Sequence, residues 1–302
     1  MEFGRIAEEL LNETELTLPK DTTRTKEVLK ASKPAAEPKI HVGCAKWGRK
    51  DWVGKIYPEG TKDKDFLAAY GRQFNCIEFN AIFYKLPTHQ QVRDWKSKVP
   101  ADFLFCPKFT DVITHIKRLK NAKHEVDLLL DVLHEFDKQL GPIFLMPHPQ
   151  MGPKHLETIT AFLNELPKDI NVFVELRHPD WYQDEAYTAL FDFCQEHDFG
   201  TVLTDTAGRR DCLHMELTKP EAFIRFVGNS LHESDYKRID EWVKRLARWM
   251  QEGINDIYFF MHQHDELYSP ELIKYLIDEL NSKNKLGIKA PVFIDESNGK
   301  LF

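Results

Sequence analysis

The chain has 302 residues, 42% apolar and 29% charged, enough to bury a substantial core as one barrel or two modest domains. A net charge of −7 argues against broad binding to a nucleic-acid backbone, while leaving room for a local basic pocket. No apolar run approaches the roughly 20 residues that span a bilayer, and the acid-rich start MEFGRIAEELLNETELTL does not read as a secretory signal. No membrane partner is therefore expected, and a cytoplasmic location is the default.

Residues 1–38 differ from the rest. A short amphipathic stretch (Ile6, Leu10, Leu11) leads into TLPKDTTRTKEVLKASKPAAEPK, which is poor in large apolar residues. This reads as a largely flexible N-terminal extension, with room for one helix docked on the body. Residues 39–302 read as a single domain in which β-rich apolar runs alternate with segments of helical period. The first strand (40–47) precedes KDFLAAYGRQF, the second (76–80) HQQVRDWKSKV, and the third (103–109) AKHEVDLLLDVLHEFDKQL. The fourth (142–147) precedes KHLETITAFLNEL and the fifth (171–177) DEAYTALFDFCQEH. The sixth (200–206) runs into AGRRDCLHMELTKPE, which offers no helix. The seventh (222–229) precedes DYKRIDEWVKRLARWMQEG, with Trp242 and Trp249 on one core-facing stripe, and the eighth (256–264) precedes SPELIKYLIDELNS. Gly141 and Gly253 stop helices, and Ser269-Pro270-Glu271 starts one. Near-continuous apolar strands alternating with amphipathic helices predict an α/β fold, a TIM-like (β/α)8 barrel that is irregular between strands six and seven. The five cysteines are odd in number and form no C-x-x-C pair, so they read as small buried hydrophobes.

Reacting groups of β/α barrels stand at the carboxyl ends of the strands. Here those ends carry Glu78 and Asn80, Lys108, Glu175 and Arg177, Thr204 and Asp205, Arg225 and Asn229, and His262 and His264. One such residue is more simply an ion pair closing the barrel, but six strands ending this way predict a pocket. Glu78 and Glu175 are the candidate acid and base if their surroundings push their pKa values apart. Asp205 would orient a histidine or bind a sugar hydroxyl, and His115, in THIKRL, reads either as a pocket acid or as a helix-start residue. Lys108, Arg177 and Arg225 suit a phosphate or carboxylate, arginine by bidentate contact. Asn80, Tyr84, Trp181, Asn229, His262 and His264 complete the expected substrate-binding set. His262 and His264 with Glu175 or Asp205 would make a divalent-metal site, but H-x-H is a weak signal and a metal-free pocket is favoured. No dinucleotide motif is present, so the cofactor is left open. Trp47, Phe83, Tyr84 and Trp181 either pack the top loops or stack on a ligand, and His148 is expected at the rim.

Several of these stretches, in one order, resemble the YecE-like family, the domain of unknown function seventy-two: GCAKWGRKDWVGKIYP, FNCIEFNAIFYKLP, PKFTDVITHIKRL, VFVELRHPDWY, LTD and FIRFVGN. The resemblance covers nearly the whole chain beyond the extension and implies a TIM-like barrel. By motif it points to Glu78, Asn80, Phe83, Tyr84, Lys108, Thr114, His115, Glu175, Arg177, Trp181, Asp205 and Arg225. It implies no reaction. This chain departs from the family pattern at Met146-Pro147-His148-Pro149, at Val227-Gly228-Asn229 and at His262-Gln263-His264, which suggests a re-tuned pocket.

The function expected first is an enzyme using acid–base chemistry, hydrolysis or isomerisation, on a small polar or anionic metabolite such as a sugar or sugar phosphate. A non-catalytic ligand-binding protein is the alternative from another class, since fold does not fix function. A metal-assisted phosphoester or nucleic-acid hydrolase ranks third, with only KRLKNAK and Arg209-Arg210 as basic candidates for a nucleic-acid track.

Overall fold

Helices and strands alternate in a computed structural model that describes residues 3–32, 37–183 and 185–294. In chain order the main elements are α1 (Glu8–Leu11), α2 (Thr23–Ala31), β1 (Lys39–Cys44), α3 (Phe66–Gln73), β2 (Cys76–Phe79) and α4 (His89–Lys96). There follow β3 (Leu104–Pro107), α5 (Lys123–Leu133), β4 (Ile143–Leu145), α6 (Leu156–Asn164), β5 (Val172–Val174) and α7 (Thr188–Glu196). The remainder is β6 (Gly200–Asp205), β7 (Glu221–Gly228), α8 (Glu233–Glu252), β8 (Asp256–Gln263) and α9 (Ser269–Asn284). All eight strands lie within a residue of the segments that apolar periodicity predicts.

All strand pairs are parallel. The strands form a curled six-stranded sheet in the order β1-β8-β7-β6-β5-β4, with β2 and β3 as a separate pair. The eight-stranded expectation is thus met in a coarser form, an α/β fold whose backbone ladder is broken at two seams. Single bridges cross the seam between β3 and β4, pairing Phe105 with Leu140 and Lys108 with Phe144. Side chains cross the seam between β1 and β2. Asn75 accepts from the Val42 amide (2.8 Å) and donates to the Ile40 carbonyl (2.9 Å). Tyr70 Oη accepts from the Cys44 amide (2.7 Å) and donates to the Cys76 carbonyl (3.0 Å). A Cβ on Gly43 would stand 2.0 Å from that same carbonyl, so only glycine allows the close approach.

Two apolar layers follow from strand alternation. Outward residues such as Ile77, Val174, Leu203, Ile224 and Phe259 meet the helices, where Trp52, Trp242 and Trp249 are fully buried. Inward residues Cys76, Cys106, Phe144, Phe173, Val202, Phe223, Tyr258 and Phe260 form a second cluster inside the curl. Burying each large apolar side chain contributes roughly 1.5–3 kcal/mol. All five cysteines are free and buried, as their apolar surroundings predict.

Between β6 and β7 no α-helix forms, only a short helical turn at Arg210–Cys212. Helix α2 lies against this stretch. Thr25 Oγ1 donates to the Met215 carbonyl (2.7 Å) and accepts from the Leu217 amide (2.8 Å). Arg24 reaches Asp192 and Gln195 of α7, and Asp21 pairs with Arg245 and Arg248 of α8. No helix among the described residues is long and apolar enough to cross a membrane.

Candidate functional site

The inner apolar cluster gives way to polar residues two positions further along six strands. Cys76 is followed by Glu78, Cys106 by Lys108, Phe173 by Glu175, Val202 by Thr204, Phe223 by Arg225 and Phe260 by His262. Because side chains two apart share a face, these six point inward at one level.

Arg225 organises the group. Its Nε and Nη2 donate to the two Glu78 oxygens at 2.8 and 2.9 Å, and its Nη1 donates to both Glu175 oxygens at 2.8 Å. Glu78 also accepts from Asn80 Nδ2 (2.8 Å), and His262 Nε2 lies 2.9 Å from its other oxygen. Glu175 accepts further from Thr204 Oγ1 (3.0 Å) and from Arg177 Nε and Nη2 (3.1 Å each). On the far side of His262, Nδ1 faces Glu266 at 3.7 Å, and Glu266 accepts from Ser269 Oγ at 2.8 Å.

Burial alone would raise the pKa of both central carboxyls, but their cationic neighbours outweigh it. Arg225 and His262 hold Glu78 well below the usual carboxylate range. Arg177, Arg225 and Lys108 bring Glu175 down to about 2. The expected separation into an acid and a base is therefore corrected: both carboxyls are anionic, and both accept from Arg225. His262 moves the other way, since Glu78 and Glu266 raise its pKa against the opposing effect of burial.

Lys108 differs from its neighbours. Among the described residues its ammonium makes no hydrogen bond or ion pair; it stands 4.0 Å above the Phe83 ring and 6.0 Å from that of Phe144. Burial, reinforced by Arg225, lowers its pKa to about 8. It faces a cavity of about 670 Å³ whose wall includes Ala45, Trp47, Asn80, Phe83, Arg177, Arg225, His262 and Glu266, with Tyr84 on the rim at 81% exposure. His115 packs edge-on to Phe83 (ring centroids 5.4 Å apart) and accepts or donates to Thr114 Oγ1 at 2.8 Å. Burial and the nearby Lys108 lower the His115 pKa to about 4, which keeps it neutral, so a pocket acid at neutral pH is not what it supplies. His148 stacks edge-on to it.

Four expected site residues lie away from the mouth. Asp205 is one residue out of phase with Thr204 and points to α8, where it accepts from Arg238 Nη2 and Trp242 Nε1 (2.7 Å each) and pairs with Arg210. Trp181 is fully buried and donates its indole N–H to the Met151 carbonyl (2.8 Å), fixing a loop. Asn229 bonds Asp235 and holds the entry to α8. His264, just past the end of β8, does not line the cavity. His262 and His264 are not grouped with Glu175 or Asp205 as a metal site: among the described residues no three His, Cys, Asp or Glu side chains are placed to hold a metal ion. Glu266 escaped sequence reasoning; its signal is its place four residues after His262, in the turn that follows β8.

A larger cleft, about 790 Å³, lies at the opposite end of the strands between Ile40, Phe103 and Leu286. It gathers no comparable set of polar groups from the strands.

The family model described as "Protein of unknown function DUF72" matches residues 41–293. The UPF0759 protein YecE of Escherichia coli (strain K12) is 28% identical over 260 residues, covering 80% of this chain and 92% of the relative. A DUF72 family protein from Enterococcus faecalis V583 superposes with a TM-score of 0.62 at 16% identity, over 84% of this chain and all of that one. Another from Thermotoga maritima MSB8 gives 0.62 at 21% identity, over 82% of this chain and all of that one. These structural likenesses speak for the fold. With the family model spanning both the strands and the polar mouth, the chain belongs to the DUF72 family.

Proposed function

We propose that this protein is an enzyme acting on a small anionic metabolite, such as a sugar phosphate, by acid–base chemistry at the carboxyl ends of its strands, with the eight strands acting as one TIM-like (β/α)8 barrel. The observation that carries the reading is Lys108, a near-buried ammonium turned into the cavity with none of its three N–H donors used among the described residues. Arg177 adds Nη1, since only its Nε and Nη2 are bonded to Glu175. Leaving His262 aside, the mouth carries four cations (Lys46, Lys108, Arg177, Arg225) against three carboxylates (Glu78, Glu175, Glu266), and one positive charge is left to be balanced by a ligand. Glu78 and Glu175 are both tied to Arg225, and Glu175 also to Arg177, so their part is to hold these cations in place, and Lys108, whose pKa burial lowers to about 8, is the proton-transfer group.

A thermal-shift series tests this with sugar phosphates, neutral sugars and inorganic phosphate on wild type, Lys108→Met and Arg177→Met. A ligand at about 100 times its Kd stabilises by about 2.7 kcal/mol, a shift of several degrees. The expected result is a shift with phosphorylated sugars that both variants abolish while keeping their own folded spectra. Shifts with neutral sugars alone, or shifts unchanged in both variants, would remove the anionic reading.

A further inference from the structure

We infer that Lys108 is a covalent nucleophile that forms a Schiff base with a phosphorylated or carboxylated aldehyde or ketone, an inference that rests on the anionic-metabolite reading above. The geometry separates this amine from other buried lysines. Lys219 is as sequestered, at 7% exposure against 9%, yet its ammonium is held by Asn171, Asp198 and Glu221. The half-buried Lys55 is likewise held, by Glu271 and the Leu267 carbonyl. Lys108 has instead two aromatic rings beneath it, the Arg225 and Arg177 cations nearby and open cavity in front. A lysine desolvated on an apolar floor beside other cations is the environment that favours a neutral, nucleophilic amine.

The chemistry closes without an oxidant or a metal. The neutral amine adds to the carbonyl carbon, giving a carbinolamine; its hydroxyl leaves as water and the nitrogen becomes a protonated imine. Overall an alkylammonium and a carbonyl give an iminium ion and water, with the proton exchanged through the open mouth. Arg177 would hold the substrate's anionic group, and the iminium would then draw electrons from the bond next to the former carbonyl.

The test is reductive trapping with dihydroxyacetone phosphate and cyanoborohydride, followed by peptide mapping. Near pH 7.5 an amine with a pKa of about 8 is neutral roughly two-hundredfold more often than an ordinary lysine. The expected result is labelling of Lys108 at least about tenfold faster than Lys219 or exposed lysines, slowed by glycerol 3-phosphate, which offers the anion without a carbonyl. Lys108→Arg should lose the adduct while glycerol 3-phosphate still raises its melting temperature; if arginine disturbs folding, Lys108→Met, which also loses the anion shift, is read by peptide mapping alone. Labelling spread over exposed lysines with Lys108 unmodified would overturn the Schiff base. If glycerol 3-phosphate still shifted the wild-type melt, the anionic reading would survive that failure; if it did not, both would fall.

Discussion

At the residue scale, Arg225 carries the structure of the mouth, and the proposed reactivity falls to Lys108. Arg225→Met would remove the shared partner of two buried carboxylates, a loss of about 3–5 kcal/mol in urea unfolding, because uncompensated buried charge is costly. The same change should alter the acid response. Glu175 has a folded-state pKa of about 2 against 4.5 for the free group, so the stability it contributes is full above the unfolded value and lost as pH falls toward the folded one. Wild type should therefore weaken between those values. The variant, with Glu175 less depressed, should weaken less over the same window. Equal losses at both ends of the window in the two proteins would show that Arg225 does not set this acid dependence. Which residues meet at the mouth was legible from alternation: Glu78, Lys108, Glu175, Arg225 and His262 each follow an inward apolar residue by two positions. Asp205 was not, because its neighbour Thr204 holds the inward phase and the choice between them depends on Arg238, 33 positions away. The suppressed pKa values were equally hidden, since they come from partners such as Arg225 that lie 147 and 50 positions from the two glutamates.

At the scale of elements, the strands announced themselves because a parallel strand covered on both faces is almost continuously apolar. The gap between β6 and β7 was also visible, as a stretch without helical period. What fills it was not, because α2 is read as part of a polar extension: of its nine residues only Thr25, Val28 and Leu29 are buried. That helix is anchored by its side chains more than by apolar area. Thr25 serves both the Met215 carbonyl and the Leu217 amide, so Thr25→Ala leaves two buried backbone groups without partners. The expected cost is about 1–3 kcal/mol, seen as a lower melting temperature. Thr25→Ser, which keeps the hydroxyl, should recover most of it. If serine fared no better than alanine, the hydroxyl bridge would not be what fastens α2 to this stretch.

At the scale of the whole molecule, the question is what joins the six-stranded sheet to the pair β2–β3. Hydrophobic pattern cannot specify this, because it fixes which face of a strand is buried and leaves open which neighbour its backbone bonds. Across the seam between β1 and β2 the work of a ladder is done by Asn75, whose amide mimics a peptide group toward Val42 and Ile40, and by Tyr70, whose hydroxyl bridges Cys44 and Cys76. Glu78 hangs from β2, while Arg225 and His262 hang from the sheet on the other side, so the seam and the polar mouth are two links between the same two pieces and share the load. Loosening the seam should therefore reach the mouth. In Asn75→Ala or Tyr70→Phe, amide exchange at Val42 or Cys44 should rise by about one to two orders of magnitude, matching the roughly 1–3 kcal/mol of a stranded buried group. Because the mouth shares that connection, either variant should also weaken phosphate-ligand binding although neither residue lines the cavity. Faster exchange with unchanged ligand affinity would mean that the Glu78–Arg225–His262 contacts alone fix the mouth, and that the seam serves stability only.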